Sequence, residues 1–66
     1  MIDQKMADAI NQQINKELFS SYLYLAMSSD AMDKGYKGVA NWMKLQADEE
    51  REHAERFIAY LQDRGA

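Results

Sequence analysis

Glu50 and His53 stand three residues apart in the sequence Glu50-Arg51-Glu52-His53, a spacing that projects both side chains onto one face of an α-helix. Glu17 occupies the matching place in the preceding segment of apolar periodicity. All three residues fall in apolar stripes, where an ionisable group is costly to bury unless an opposite charge compensates it. A divalent cation supplies that charge, and carboxylates with one imidazole suit Fe(II), Mn(II) and Zn(II). The spacing therefore predicts a metal site.

Each of these residues also has an ordinary structural interpretation. Glu50 could be a solvated helix residue, His53 a hydrogen-bonded core histidine, and Glu17 an exposed acid paired with Lys16. The heights along the two helices favour ligation instead. At 1.5 Å per residue, Glu17 lies about 24 Å from the predicted turn, and Glu50 and His53 lie about 18–22 Å from it. The three side chains are therefore expected to meet side by side.

Two long helices must position these residues. The chain has no proline, and Gly35 is flanked by segments whose apolar residues recur at steps of three and four. The pattern predicts one helix over about residues 3–33, a turn over about 34–37 and a second helix over about 38–63, which together make residues 1–66 a single antiparallel hairpin. The first stripe comprises Met6, Ile10, Ile14, Glu17, Ser21, Tyr24 and Ser28, widened by Leu18, Leu25 and Met32. The second comprises Val39, Trp42 or Met43, Gln46, Glu50, His53, Phe57 and Tyr60 or Leu61.

A hairpin of 66 residues needs additional support. Below roughly 70–80 residues a lone core rarely holds a fold without a staple, a metal or a partner, and this chain has no cysteine for a disulfide. A homodimer would superpose two mid-helix sites and collect four carboxylates and two imidazoles, the ligand inventory of di-iron and di-manganese bundles. The predicted fold is thus all-α, an αα-hairpin that pairs as a homodimer into a four-helix bundle.

Charge and hydropathy exclude several classes of partner. The net charge is −3, and the basic residues form no stripe that would suit a nucleic acid or an anionic membrane. No apolar run approaches the roughly 18–20 residues of a membrane span, and the N-terminus has no signal-peptide pattern. We expect a cytoplasmic protein.

The chain resembles the first two helices of a ferritin, most closely the prokaryotic non-haem ferritins. The residues that carry the resemblance are NKEL at 15–18, YLYLAM at 22–27, GVANWMK at 38–44 and QADEEREHA at 46–54. The resemblance implies that Glu17, Glu50 and His53 are iron ligands of the first site, with Glu50 as the bridge between two metals. It also implies that Tyr24 is the tyrosine near the ferroxidase centre and that Glu49 helps to bind a further iron.

The resemblance implies an iron-binding protein with a di-iron ferroxidase site, which oxidises Fe(II) to Fe(III) with O2 or peroxide and which Mn or Zn could occupy as substitutes. A ferritin subunit has a second helix pair that supplies the remaining ligands, a long crossover and a fifth helix, and iron storage depends on those parts. We expect two hairpins to share one site here. The alternative is a non-catalytic helical-hairpin interaction module, or a truncated ferritin fragment, whose inherited ligands are idle.

Overall fold

The computed structural model describes residues 2–65, which form two antiparallel α-helices. Helix α1 spans Gln4–Asp33 and helix α2 spans Lys37–Asp63. The Cα atoms extend over 49 × 15 × 9 Å, so the molecule is a slab two helices wide and one helix thick. The all-α helical hairpin predicted from the sequence is confirmed.

Local sequence explains where α1 begins and ends. The carboxylate of Asp3 accepts a backbone N–H of the first turn at 3.1 Å and so caps the helix. At the other end Gly35 adopts a φ of +85°, a left-handed conformation that a residue without Cβ reaches at no steric cost. The N–H of Gly35 bonds to the Met32 carbonyl at 3.0 Å, and the N–H of Tyr36 bonds to the Ala31 carbonyl at 2.9 Å. This is the Schellman pattern, and it reverses the chain within three residues.

A seam of mostly small residues joins the two helices. The seam comprises Ala7, Ile14, Ser21, Ser28 and Ala31 of α1 and Ala40, Ala47, Ala54 and Leu61 of α2. Its α2 members recur every seven residues, and Ala40 and Ala54 are fully buried. A seven-residue repeat keeps one stripe of each helix facing its neighbour, and alanine at the repeat lets the backbones come close.

Two serine hydroxyls cross the seam. Ser21 Oγ donates a hydrogen bond to the Ala47 carbonyl at 2.7 Å, and Ser28 Oγ donates one to the Ala40 carbonyl at 2.6 Å. A side chain as short as serine reaches the opposite backbone only because the helices are close. These bonds fix the helices in register and leave neither hydroxyl unpaired.

The large apolar side chains lie mainly outside the seam. Among residues 2–65 none of the large side chains is fully buried, and Met6, Val39 and Trp42 are each about half exposed. The stripes read from the sequence therefore coincide with the seam only at some positions, such as Ile14 and Leu61. Hydropathy marks large apolar residues, whereas close helix packing selects small ones. Exposed apolar side chains in this number are typical of an interaction site.

Neither of the two helices has a stretch of the length and apolar character that crossing a bilayer would require.

Candidate metal centre

The seam positions three ionisable side chains on one side of the hairpin. Glu17 follows the seam residue Ile14 by three positions, and Glu50 follows the seam residue Ala47 by three positions. Both carboxylates therefore flank the seam, and the antiparallel arrangement places them opposite each other. His53 comes three residues after Glu50 and lies one helical turn farther along α2.

These three side chains converge. One ligand atom each from Glu17, Glu50 and His53 can be chosen so that all three atoms lie within 4.8 Å of one another. The distance between Glu17 Oε2 and His53 Nδ1 is 3.5 Å. Only 15% of the Glu17 side chain is exposed, compared with 48% of the His53 side chain. The cluster thus has a buried wall at α1 and an open side at α2.

The two oxygens of Glu17 have different surroundings. Oε1 accepts a hydrogen bond from Gln13 Nε2 at 2.9 Å. Oε2 is buried and accepts no hydrogen bond from any residue in the described range 2–65. An unpaired buried carboxylate oxygen is unfavourable because it has lost its hydration without a replacement. A cation bound next to Oε2, His53 Nδ1 and the Glu50 carboxylate would remove that cost.

The two carboxyl groups shift each other's proton affinity in opposite directions. The neighbouring Glu50 carboxyl lowers the pKa of Glu17, the hydrogen bond from Gln13 lowers it further, and burial opposes both effects. The Glu17 carboxyl and burial together raise the pKa of Glu50. No bond between the two carboxyls meets hydrogen-bond geometry in the described residues, but they are close enough for a proton on Glu50 to interact with Glu17. The two carboxyl groups therefore lose their protons in separate steps, Glu17 at the lower pH and Glu50 at the higher.

This donor set suits a hard divalent cation. Two carboxylates provide oxygen ligands and negative charge, and one imidazole provides a nitrogen ligand. All three donors come from one side, so a cation held here keeps open positions for further ligands.

Tyr24 lies apart from the cluster. It is seven residues after Glu17, which corresponds to about 10 Å along the axis of α1. Its ring packs edge to face against Trp42, with 6.3 Å between ring centroids and an interplanar angle of 81°. Helical side chains lean towards the N-terminus, which for Tyr24 is the direction of Glu17. Tyr24 therefore shares the side of the hairpin that carries the cluster, at a distance of two helical turns.

Glu49 is also outside the cluster of three. It is exposed and points to a different side of α2 from the neighbouring Glu50, since successive residues are about 100° apart on a helix. Its negative charge is one of the smaller contributions that raise the pKa of Glu50. Glu49 thus affects the cluster through its charge.

Sequence reasoning did not single out Gln13. Its amide contacts Glu17 at the i, i+4 spacing, which brings two side chains together on a helix surface. A search for hydrogen-bond donors four residues from each candidate ligand would have found it.

Comparisons with known proteins relate the chain to one family. The model of the ferritin-like domain matches residues 7–66. The bacterial non-heme ferritin of Bacteroides fragilis is 46% identical over 65 residues, which are 98% of this chain and 41% of that protein. The bacterial non-heme ferritin of Staphylococcus aureus is 38% identical over 66 residues, which are 100% of this chain and 40% of that protein.

A solved structure shows the same arrangement of helices. An Archaeoglobus fulgidus ferritin, engineered into a closed form by site-directed mutagenesis, matches the hairpin with a TM-score of 0.95 and 44% identity. The match covers 100% of this chain and 40% of that one. The chain therefore spans about two fifths of the length of the proteins that it matches.

Proposed function

Because the chain belongs to the ferritin-like family, we propose that it binds Fe(II) at Glu17, Glu50 and His53 and oxidises it to Fe(III) with O2 or peroxide. The observation that carries this proposal is the buried Oε2 of Glu17, which has no hydrogen-bond donor in the described residues and lies 3.5 Å from His53 Nδ1. A cation is the natural partner for an oxygen in that position.

Iron fits this ligand set, and Mn(II) or Zn(II) would be substitutes at the same positions. Carboxylate oxygens are hard ligands that hold Fe(III) more tightly than Fe(II), because the higher charge gains more from anionic donors. A site built from them therefore lowers the free energy of the oxidised product relative to Fe(II). The imidazole of His53 completes the set without adding a further negative charge.

Two hairpins would complete the site. One hairpin supplies three ligands from one side, and a second copy placed on that side would bring the total to four carboxylates and two imidazoles. The exposed large apolar side chains of the hairpin would give such a pairing its driving force, because burial of apolar surface contributes about 25 cal/mol per Å². The proposed catalytic unit is therefore a homodimer that forms a four-helix bundle.

Each ligand has a distinct role in this proposal. Glu50 and its symmetry mate would bridge two iron ions, and Glu17 would be a terminal carboxylate ligand. His53 would supply the nitrogen ligand, and its Nδ1 is the nitrogen that lies 3.5 Å from Glu17 Oε2. Two ions are needed because each Fe(II) gives one electron, whereas reduction of O2 to hydrogen peroxide takes two electrons and two protons.

Two further residues have proposed roles. Tyr24 stands two turns from the ligands and leans towards them, so we assign it the role of the aromatic hydroxyl group near the iron centre. Glu49 stands next to Glu50 in the sequence, and its exposed carboxylate would bind an additional iron ion at the edge of the bundle.

Oxidation kinetics test the proposal. Fe(II) is added to the protein without oxygen, air is admitted, and the absorbance of Fe(III) is followed. We expect the parent protein to oxidise Fe(II) faster than buffer and Glu50→Ala to lose this acceleration. Glu52→Ala is the matched control, because Glu52 is exposed on the same helix and is not part of the cluster. Equal rates for the parent and Glu50→Ala would refute the proposal.

A second candidate function is a helical-hairpin interaction module in which the ligand set is idle. The observation that favours it is the row of exposed apolar residues, which would associate whether or not metal binds. Sedimentation of the parent and Glu50→Ala, each with and without Fe(II), separates the two functions. A dimer that forms equally in all four samples supports the module, and a dimer that requires both iron and Glu50 supports the metal site.

A further inference from the structure

Gln13 lies one helical turn before Glu17 on α1 and contacts it directly. Its side-chain Nε2 donates a hydrogen bond to Glu17 Oε1 at 2.9 Å. Both side chains are partly buried, so water competes less for this bond than it does at the surface.

This hydrogen bond makes the two oxygens of the Glu17 carboxylate different. Oε1 is engaged by the amide of Gln13, and Oε2 remains free on the side of His53 Nδ1, 3.5 Å away. A carboxylate held at one oxygen cannot rotate freely about its last torsion, so the other oxygen keeps a defined direction. Glu17 is thus prepared to bind a cation through Oε2 alone.

The same helix contains a similar pair in which no such role is available. Gln4 Nε2 donates to Asp8 Oδ1 at 2.8 Å, with the same i, i+4 spacing and nearly the same length. Both members of that pair are exposed, and Asp8 is not part of the metal-ligand cluster. The pair at Gln4 therefore reports what an amide–carboxylate bond on α1 does for helix stability alone.

We infer that Gln13 is a positioning residue, which holds Glu17 so that only Oε2 is presented to the metal. The inference rests on the proposed function, since it concerns the same ligand. A neutral amide suits this task, because it orients the carboxylate and leaves its negative charge available to the cation. A lysine at this position would neutralise that charge.

Metal titration of two matched variants tests the inference. Gln13→Met keeps the approximate length of the side chain and removes the amide, and Gln4→Met makes the same change in the exposed pair. Each protein is titrated with Co(II), and both the dissociation constant and the visible absorption spectrum are measured. We expect Gln13→Met to weaken binding by roughly 10-fold to 100-fold, the range for removal of a group that orients a metal ligand. Gln4→Met should bind as the parent does.

The spectrum distinguishes positioning from general loss of stability. Without the amide of Gln13, both oxygens of Glu17 become available to Co(II), so the coordination number rises and the visible bands weaken. A variant that is only less stable would bind less Co(II) but give the parent spectrum at saturation.

A measurement on the parent protein covers the case in which Gln13→Met does not fold. Zn(II) is added to ¹⁵N-labelled protein, and the side-chain amide signals of Gln13 and Gln4 are followed by NMR. We expect the Gln13 signal to shift on Zn(II) binding, because its acceptor becomes a metal ligand, while the Gln4 signal stays in place.

Three outcomes decide the matter. Parent-like affinity and spectrum in Gln13→Met, or an unmoved Gln13 signal in the parent with Zn(II) bound, overturn the inference while metal binding itself stands. If the parent binds neither Co(II) nor Zn(II), the proposed function fails and the inference fails with it.

Discussion

The seam and the ligand-bearing side of the hairpin lie next to each other, yet they differ in how completely their groups are paired. In the seam the alanines are buried, and both crossing serine hydroxyls have acceptors. On the ligand-bearing side, which carries Glu17, Glu50 and His53, one buried carboxylate oxygen has no hydrogen-bond donor in the described residues, and the His53 side chain is 48% exposed. The two regions use the same two helices and the same periodicity.

This difference shows which region has its polar groups hydrogen-bonded within one hairpin. The seam satisfies itself within one chain, so it can define the hairpin alone. The ligand-bearing side has a buried carboxylate oxygen with no hydrogen-bond donor in the described residues, and in the proposed function a metal ion and a second hairpin would supply what this side lacks. Substitutions in the seam should therefore lower the stability of the folded hairpin. Substitutions at the cluster should mainly reduce the extra stability that a bound metal provides.

The largest effect is expected from enlarging a seam residue. Ala54 is fully buried, so Ala54→Leu would push the helices apart and disturb the whole contact. We expect a loss of about 3 kcal/mol in the free energy of unfolding, the upper end of the usual range for overpacking, which is a large fraction of the stability of a chain of this size. Thermal unfolding followed by circular dichroism measures it.

Ala59→Leu is the control for this prediction, because Ala59 is exposed on the same helix. Equal melting temperatures for the two leucine variants would show that the two helices can move apart at the seam without loss of stability. That result would contradict the conclusion that the seam defines the hairpin.

The next effect is the stabilisation of the ligand-bearing side by metal. A ligand that binds only the folded protein adds about 2.7 kcal/mol at 100 times its dissociation constant. For a domain of this size that corresponds to a rise of roughly 10–20 °C in melting temperature. We expect Zn(II), which does not react with oxygen, to give this rise in the parent and in Glu52→Ala but not in Glu50→Ala. A rise that persists in Glu50→Ala would mean that the cation binds elsewhere.

A smaller effect is expected from removing one hydroxyl from the seam. Ser28→Ala deletes the 2.6 Å bond to the Ala40 carbonyl, and a hydrogen bond of this kind contributes about 1 kcal/mol. The melting temperature should fall by roughly 4–8 °C. Ser29→Ala alters an exposed serine next to it and serves as the control. An equal decrease in melting temperature in both variants would show that the hydrogen bond from Ser28 to Ala40 does not stabilise the hairpin.

The smallest effect is the dependence of metal-free stability on pH, to which Glu17 and Glu50 contribute in separate pH ranges. The lowered pKa of Glu17 stabilises the fold above its ordinary value of 4.5, and this contribution is lost as pH falls through the lowered folded value. The raised pKa of Glu50 stabilises the fold below 4.5, and this contribution is lost as pH rises through the raised folded value. The pair is therefore most favourable between the two folded values, where it holds one proton.

Glu50→Gln tests this dependence because its amide cannot ionise and can donate to Glu17 as the protonated acid does. We expect the decrease in melting temperature between pH 5 and neutral pH to be smaller in Glu50→Gln than in the parent or in Glu52→Gln. The same variant should lose the Zn(II) effect, so it would be more stable than the parent without metal and less responsive with it. An unchanged dependence of melting temperature on pH in Glu50→Gln would contradict the raised pKa of Glu50.

The hairpin and the meeting of the three candidate ligands could be predicted from the sequence. Gly35 between two segments of helical periodicity predicts the hairpin, and the structure has a Schellman turn at that glycine. The heights of Glu17, Glu50 and His53 along the two helices predict that they meet, and the structure brings their ligand atoms together. These predictions succeed because they need only the helical rise and the place of the turn.

The identity of the buried stripe and the contact between Gln13 and Glu17 depend on how side chains fit together, and they were not predicted from the sequence. The repeat of alanines at positions 40, 47 and 54 is visible in the sequence, but hydropathy favours Val39 and Trp42 as the buried stripe. Which stripe faces the other helix depends on how closely the backbones approach, and that is a property of side-chain volume. The contact between Gln13 and Glu17 escaped for a similar reason, since many i, i+4 pairs exist on a long helix and only burial distinguishes this one.

The Cα atoms span only 9 Å in the thinnest direction, and the cluster is open to water on the side of His53, whose side chain is 48% exposed. A cation held there would exchange readily with the solution even if its equilibrium occupancy were high. How long an ion stays, rather than how tightly it binds, should therefore reveal whether a second hairpin has closed over it. Slow release of iron would be the kinetic signature of a covered site.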